Sequence, residues 1–351
     1  MTSTPHHGDA LAAQRGRAPS GTSAMPPVVG RRRRLPPATG IAVADRDDPD
    51  MDGIVVVPRE FGAGRVVDQL WQRAARLPIG TSLIGLTSAD GGVGRSTLTA
   101  ALGGLLALAA MHPVLAVDAT ARPWSGLTDR VRGDGGTLWD ALQAVKTGAR
   151  VYGFGAARSW TRRGATGVYA LTAEPQRTPQ RRPPTFTEAV QVISALGPHT
   201  SAVVAELPVA DVSGVWRYLT VVTAPVLVAR ASVDGVRHAL HLLAQLRAGG
   251  LDAVADRAVL AVVASAPQPP REVRAVCHQA ASRVRSVVRV PFDEHLARPE
   301  PVDVRRCRRA TRVALVALAA ACMPDSMVPS QPAPTRQSDA GLRHAGGSPT
   351  S

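Results

Sequence analysis

The stretch "LIGLTSADGGVGRSTLTAALG", Leu83 to Gly103, decides the fold. Its opening run, with Ser82 before it, is apolar on successive positions, as in a strand buried on both faces. The glycines at 91, 92 and 94 follow at once, then the Ser96–Thr97 pair and a run with helical apolar spacing. A strand, a glycine-rich turn and a helix in that order turn backbone N–H groups inward at a helix N-terminus, where the partial positive charge favours phosphate. Glycine-rich turns alone are weak signals, and it is this context that makes a phosphate-binding loop. Gly91, Gly92, Val93, Gly94, Arg95, Ser96 and Thr97 are its candidate contacts.

Outward from this unit, apolar runs alternate with longer helical patterns. Strands are expected at 82–88, 114–119, 167–173, 201–207, 225–231, 258–264 and 286–292, with helices at Thr97 to Met111, Thr185 to Leu196, Asp234 to Ala248 and Arg271 to Arg283. Repeated strand–helix–strand units give an α/β fold, a doubly wound and mainly parallel sheet flanked by helices, with right-handed crossovers. Ligands in such sheets bind at the carboxyl ends of strands, where the glycine loop lies.

The 351 residues suffice for one core of roughly 200 to 250 residues plus tails. Residues 1–52 are rich in Pro, Gly, Ser, Arg and Asp without periodicity, and read as a disordered tail containing the cationic knot Arg31 to Arg34. A linker with a short helix is expected over 53–78, the folded domain over 79–323, and a second disordered tail over 324–351. Net charge is +14, and Lys146 is the sole lysine beside forty arginines. That balance fits polyanionic partners but says nothing of fold. Three scattered cysteines suggest neither disulfides nor zinc, and a reducing cytoplasm suits them. No apolar run is long enough to span a bilayer, which excludes an integral membrane protein. His238 and His241 stand one helical turn apart, but no third ligand completes a metal site and a plain helix surface is the expected reading.

The motif "ADGGVGRSTLTAALG" resembles the deviant Walker A sequence of MinD/ParA-type P-loop ATPases, whose pattern is KGGxGK followed by two Ser or Thr. The likeness extends in order through "VLAVDATARP", "VVAELP" and "VRVPFDEHLA", over about Ile79 to Met323, and is greatest to the EspI-like subgroup associated with actinobacterial type VII secretion. It implies ATP or ADP with Mg2+, which the substitutions at Asp90, Arg95 and Thr120 would make weakly held, phosphate contacts from the loop, a magnesium ligand at Ser96 and magnesium support from Glu206. Catalytic roles fall on Arg95 and Asp118.

The departures are as informative. Where the resemblance implies a lysine reaching across a dimer, the chain has Asp90. The phosphate-binding lysine is Arg95, which keeps the charge but replaces a compact ammonium by a planar fork. The second acid of a DxD-like turn is Thr120, and no asparagine for adenine stands among Val263, Ala264 and Ser265. Loss of lysines throughout the chain accounts for Arg95, but not for Asp90 or Thr120. Each lost contact costs on the order of 2 to 4 kcal/mol of barrier height, so hydrolysis is expected weak or absent.

Two function classes therefore compete. One is a degenerate P-loop protein acting as regulator or adaptor on a protein partner, which the resemblance places in secretion machinery. The other is an active, ATP-dependent homodimer that positions or partitions, binding DNA or an anionic surface through Arg-rich segments such as "VDVRRCRRATRV". For that segment a packed terminal helix is favoured, with Val304, Cys307, Thr311, Ala314, Leu318 and Cys322 inward and Arg305, Arg306, Arg309 and Arg312 outward.

Overall fold

The computed structural model describes residues 61–323 apart from 62–63, 81, 123, 125, 150–152, 174–180 and 211–213. The expected tails, including Arg31 to Arg34 and the start of the linker, lie outside the described residues. In chain order the elements are α1 (Arg65–Ala75), β1 (Ser82–Thr87), α2 (Arg95–Ala109), β2 (Val114–Asp118), α3 (Gly126–Arg130), α4 (Leu138–Lys146) and α5 (Phe154–Ala157). There follow β3 (Arg162–Arg163), β4 (Tyr169–Leu171), α6 (Phe186–Leu196), β5 (Ala202–Glu206), α7 (Val215–Leu219), β6 (Ala224–Arg230) and α8 (Val233–Ala248). The last are α9 (Asp252–Arg257), β7 (Val259–Val263), α10 (Glu272–Ala280), β8 (Ser286–Val290), α11 (Glu294–Ala297) and α12 (Arg309–Cys322).

The strands form one sheet in the order β3-β4-β2-β5-β1-β6-β7-β8, parallel throughout except for the β3–β4 pair. Every residue of β2 and β5 is buried, as the uninterrupted apolar runs require of strands covered on both faces. Alternate side chains serve opposite layers. Ala116 packs with α1, α2 and α12 on one face, whereas its neighbours Leu115 and Val117 pack with α4, α6 and α7 on the other. The doubly wound sheet expected from the sequence is therefore the fold. Its register sets Leu86 and Asp118 each opposite Glu206, so the carboxyl ends of β1, β5 and β2 meet at one edge.

Several boundaries move for local reasons. The helix expected from Thr97 begins at Arg95, because left-handed Gly94 is its N-cap. β8 stops at Val290, since Pro291 has no N–H to give the ladder. The short antiparallel β3 was not expected, and neither was α4, although Thr137 and Asp140 form a capping box there. The helix of the linker is no appendage: Leu70, Trp71 and Ala74 of α1 are buried in the same core as α2 and α12. At the other end, one helix through 304–322 is corrected to a 3-10 turn at Val304–Arg306 followed by α12. The Asp293 carboxylate accepts from the Arg308 N–H between them. All six residues expected inward are buried.

Candidate functional site

The glycine loop sits where β1 leads into α2. Gly92 (φ 68°) and Gly94 (φ 93°) occupy left-handed conformations that only glycine adopts without strain, whereas Gly91 has an ordinary φ and open space around it. Val93 is buried and joins the core, which anchors the loop from below. Two cavities flank it. One, of about 340 Å³, is lined by Arg95, Ser96, Asp118, Thr120 and Glu206, with Arg122, Trp124 and Arg130 at its rim. The other, of about 240 Å³, lies against Val263, Ala264, Ser265, Pro291 and Phe292 and offers no asparagine. Thr97 borders both.

The structure thus brings Arg95, Ser96, Thr97, Asp118, Thr120 and Glu206 to one cavity with the loop, while Gly91 and Asp90 line neither cavity, and the pairing of these residues is not legible in the sequence. The Arg95 side chain is only 5% exposed, with Nε 3.9 Å from Glu206 Oε1, too far for a hydrogen bond. Ser96 Oγ donates to that same oxygen at 2.9 Å. Arg95 Nη1 and Glu206 Oε2 are buried and have no hydrogen-bond partner among the described residues. A buried polar group left so costs about 1 to 3 kcal/mol.

Burial first, and the neighbouring Asp118 second, push the Glu206 carboxyl up to about 8, against the pull of Arg95, the Ser96 hydroxyl and Arg122. Burial likewise holds the Arg95 guanidinium below its ordinary value, only partly offset by Glu206. Asp118 accepts both the Thr120 N–H, at 2.9 Å, and the Thr120 hydroxyl, at 2.6 Å, through Oδ1. Thr120 therefore restrains the acid instead of adding a second one.

Asp90 lines neither cavity, and its oxygens are each 3.0 Å from His238 Nδ1 on α8. His238 is thus engaged with the loop and not with His241. Among the described residues no cluster of three His, Cys, Asp or Glu could hold a metal. Arg230 Nη2 reaches the Gly92 carbonyl at 3.5 Å from the end of β6. Sequence reasoning missed Arg122, Arg130, Trp124 and the His238 contact. The signal for Arg122 was available, since it lies four residues beyond the end of β2 on the loop that faces the site. Nothing in the sequence pairs positions 90 and 238.

Within that loop Ala121 has φ 58°, the one non-glycine among the described residues in the left-handed region. Ala121→Gly is expected to stabilise the fold by about 0.5–1 kcal/mol, the relieved strain less the added freedom of the unfolded glycine. Denaturant midpoints of the two chains check it, and a lowered midpoint would mean that no strain is stored there.

The Arg-rich terminal segment is only partly free. Arg305 pairs with Asp303 at 2.9 Å and Arg308 with Glu294 at 2.6 Å, while Arg312 turns to backbone carbonyls and lies over the Phe61 ring. No described helix is long and apolar enough to cross a membrane.

No family model matches the chain. It is 31% identical over 243 residues to the ESX-1 secretion-associated protein EspI of Mycobacterium tuberculosis, in both the CDC 1551 / Oshkosh and the H37Rv strains. That alignment covers 65% of this chain and 34% of EspI, so the chain spans about a third of the length of the curated relative it matches. Among solved structures, a ParA family ATPase from Chlorobium tepidum TLS is 17% identical with a TM-score of 0.49, over 68% of this chain and 98% of that one. The cell division ATPase MinD of Pyrococcus furiosus is 16% identical with a TM-score of 0.48, over 68% and 98%.

Proposed function

We propose that this relative of a secretion-associated protein binds adenine nucleotide weakly and serves as a regulator or adaptor for a protein partner in secretion machinery, with little or no hydrolysis of its own. The observation that carries this reading is the burial of Arg95 beside Glu206. The cation expected on the phosphates stands in the cleft wall next to an acid, and the hydroxyl expected on magnesium is donated to the same carboxyl.

The donor set nevertheless fits the group. Gly92 and Gly94 keep the cradle open, the orphaned Arg95 Nη1 suits an anion, and the orphaned Glu206 Oε2 beside Ser96 Oγ suits a hard cation. Ser96 and Glu206 would hold magnesium, with Asp118 nearby. Bound there, magnesium neutralises charge on the phosphate oxygens. The chain's own residues must do the rest: the loop amides hold the phosphates, Arg95 offers them its unpartnered Nη1 from the cleft wall, and Thr120 holds Asp118 in place. Glu206 competes with the phosphates for the Arg95 charge, which makes the affinity low.

Calorimetric titration with ATP and magnesium tests the reading. The native chain is expected to bind in the micromolar range or weaker, and Gly94→Val to abolish the heat, because a branched side chain at φ 93° both strains and fills the cradle. Ser96→Ala, which leaves the backbone untouched, is expected to weaken binding only when magnesium is present. Micromolar binding that survives Gly94→Val would place the nucleotide elsewhere.

A further inference from the structure

The cleft between the loop and the carboxyl ends of β2 and β5 carries three arginines besides its two acids, and they are not equivalent. Arg95 is buried against Glu206. Arg130 gives its Nη1 to the carbonyls of Leu296 and Arg298, which fixes it to the C-terminal end of α11. Arg122 is exposed, lines the same cleft, and makes no hydrogen bond or ion pair among the described residues. It is the uncommitted cation of the site.

Its backbone is held in a particular way. Thr120 is tied to Asp118 by two hydrogen bonds, and Ala121 follows in the left-handed region. Strain of this kind in a non-glycine residue persists only where surrounding structure enforces it, and it gathers at ligand sites. Here the enforced turn delivers Arg122 to the rim beside exposed Trp124. The guanidinium acts on both buried groups beneath it, favouring the ionised form of Glu206 and opposing the charge on Arg95. Asp90, meanwhile, is drawn off to His238 and leaves no positive charge at its own position.

We infer that Arg122 binds the outermost phosphate of a nucleoside triphosphate in this cleft and thereby makes the chain prefer triphosphate over diphosphate. The inference rests on the nucleotide-binding reading above and adds the specificity to it. A guanidinium meets two phosphate oxygens through parallel charge-assisted hydrogen bonds, and being weakly hydrated it is readily recruited from solvent. A diphosphate held by the loop amides lacks the group that an arginine at the rim would meet.

The test is calorimetric titration of the full chain with magnesium–ATP and magnesium–ADP, for the native protein, Arg122→Ala, Arg122→Lys and Gly94→Val. The native chain is expected to favour ATP. Arg122→Ala is expected to lose about tenfold or more in ATP affinity with little change for ADP, as loss of a charged hydrogen bond dictates. Arg122→Lys should recover part of the loss. Melting temperatures should be unchanged, because the side chain is exposed and unpartnered. An ATP to ADP ratio that Arg122→Ala leaves at the native value overturns this inference alone, provided Gly94→Val still abolishes both heats. Absence of any binding by the native chain overturns the nucleotide reading and this inference with it.

Discussion

Steady-state phosphate release by the native chain at saturating ATP and magnesium is expected to match that of its Ser96→Ala variant. The reason is the sum of three positions. Asp90 presents an anion engaged with His238, Arg95 lies buried beside Glu206, and Thr120 restrains Asp118 where a second acid would help place water. Phosphoryl transfer depends on positioning and on charge stabilisation, and removing one such contact costs roughly 10²- to 10³-fold in rate. Arg95→Lys alone should therefore improve binding more than turnover. Asp90→Lys, Arg95→Lys and Thr120→Asp together should raise turnover above the Ser96→Ala blank, by an amount that is not the product of the single effects, because such residues act as a unit. Native turnover at the rate of working relatives, removed by Ser96→Ala, would make Arg95 a working catalytic residue.

Trp71→Ala is expected to cost about 3–5 kcal/mol of folding stability, the range for truncating a buried aromatic side chain. Trp71 is 1% exposed, packs on Phe61 with ring centroids 4.8 Å apart and planes tilted by 52°, and lies in the cluster shared by α2 and α12. Chemical denaturation followed by circular dichroism measures the loss. A cost below about 1 kcal/mol, the usual scale of a surface change, would make α1 an attachment to a domain that starts at β1.

Much of this was legible in the sequence because the signals were local. The continuous apolar runs of β2 and β5 declared strands covered on both faces, and the glycines at 91, 92 and 94 declared a loop at a helix N-terminus, of which the structure holds 92 and 94 in left-handed backbone. The inward face of the terminal segment followed from helical spacing, even though the chain breaks at Cys307 between a 3-10 turn and α12. What escaped depends on distant partners. Nothing in "RVVDQLWQRAA" distinguishes a linker helix from one whose Leu70 and Trp71 complete a core laid down by α2 and α12. The two-residue β3 is too short to show a period. In the site, the resemblance implied that Arg95, Ser96, Asp118 and Glu206 meet but not how they pair, and it assigned no part to Arg122, Trp124 or Arg130. The resemblance implies a phosphate contact for Arg95, whereas the acid beside it, Glu206, stands 111 positions away on β5 and is visible only in the fold.

The central claim, a cradle that holds nucleotide without consuming it, is tested most directly by following a stoichiometric mixture of the chain, ATP and magnesium by phosphorus-31 NMR. The account expects the β- and γ-phosphate resonances to shift or broaden on adding protein, to return to their free positions with Gly94→Val, and to persist without growth of ADP or inorganic phosphate. Resonances that the native chain leaves at their free positions, or inorganic phosphate that accumulates with the native chain and not with Ser96→Ala, would contradict it.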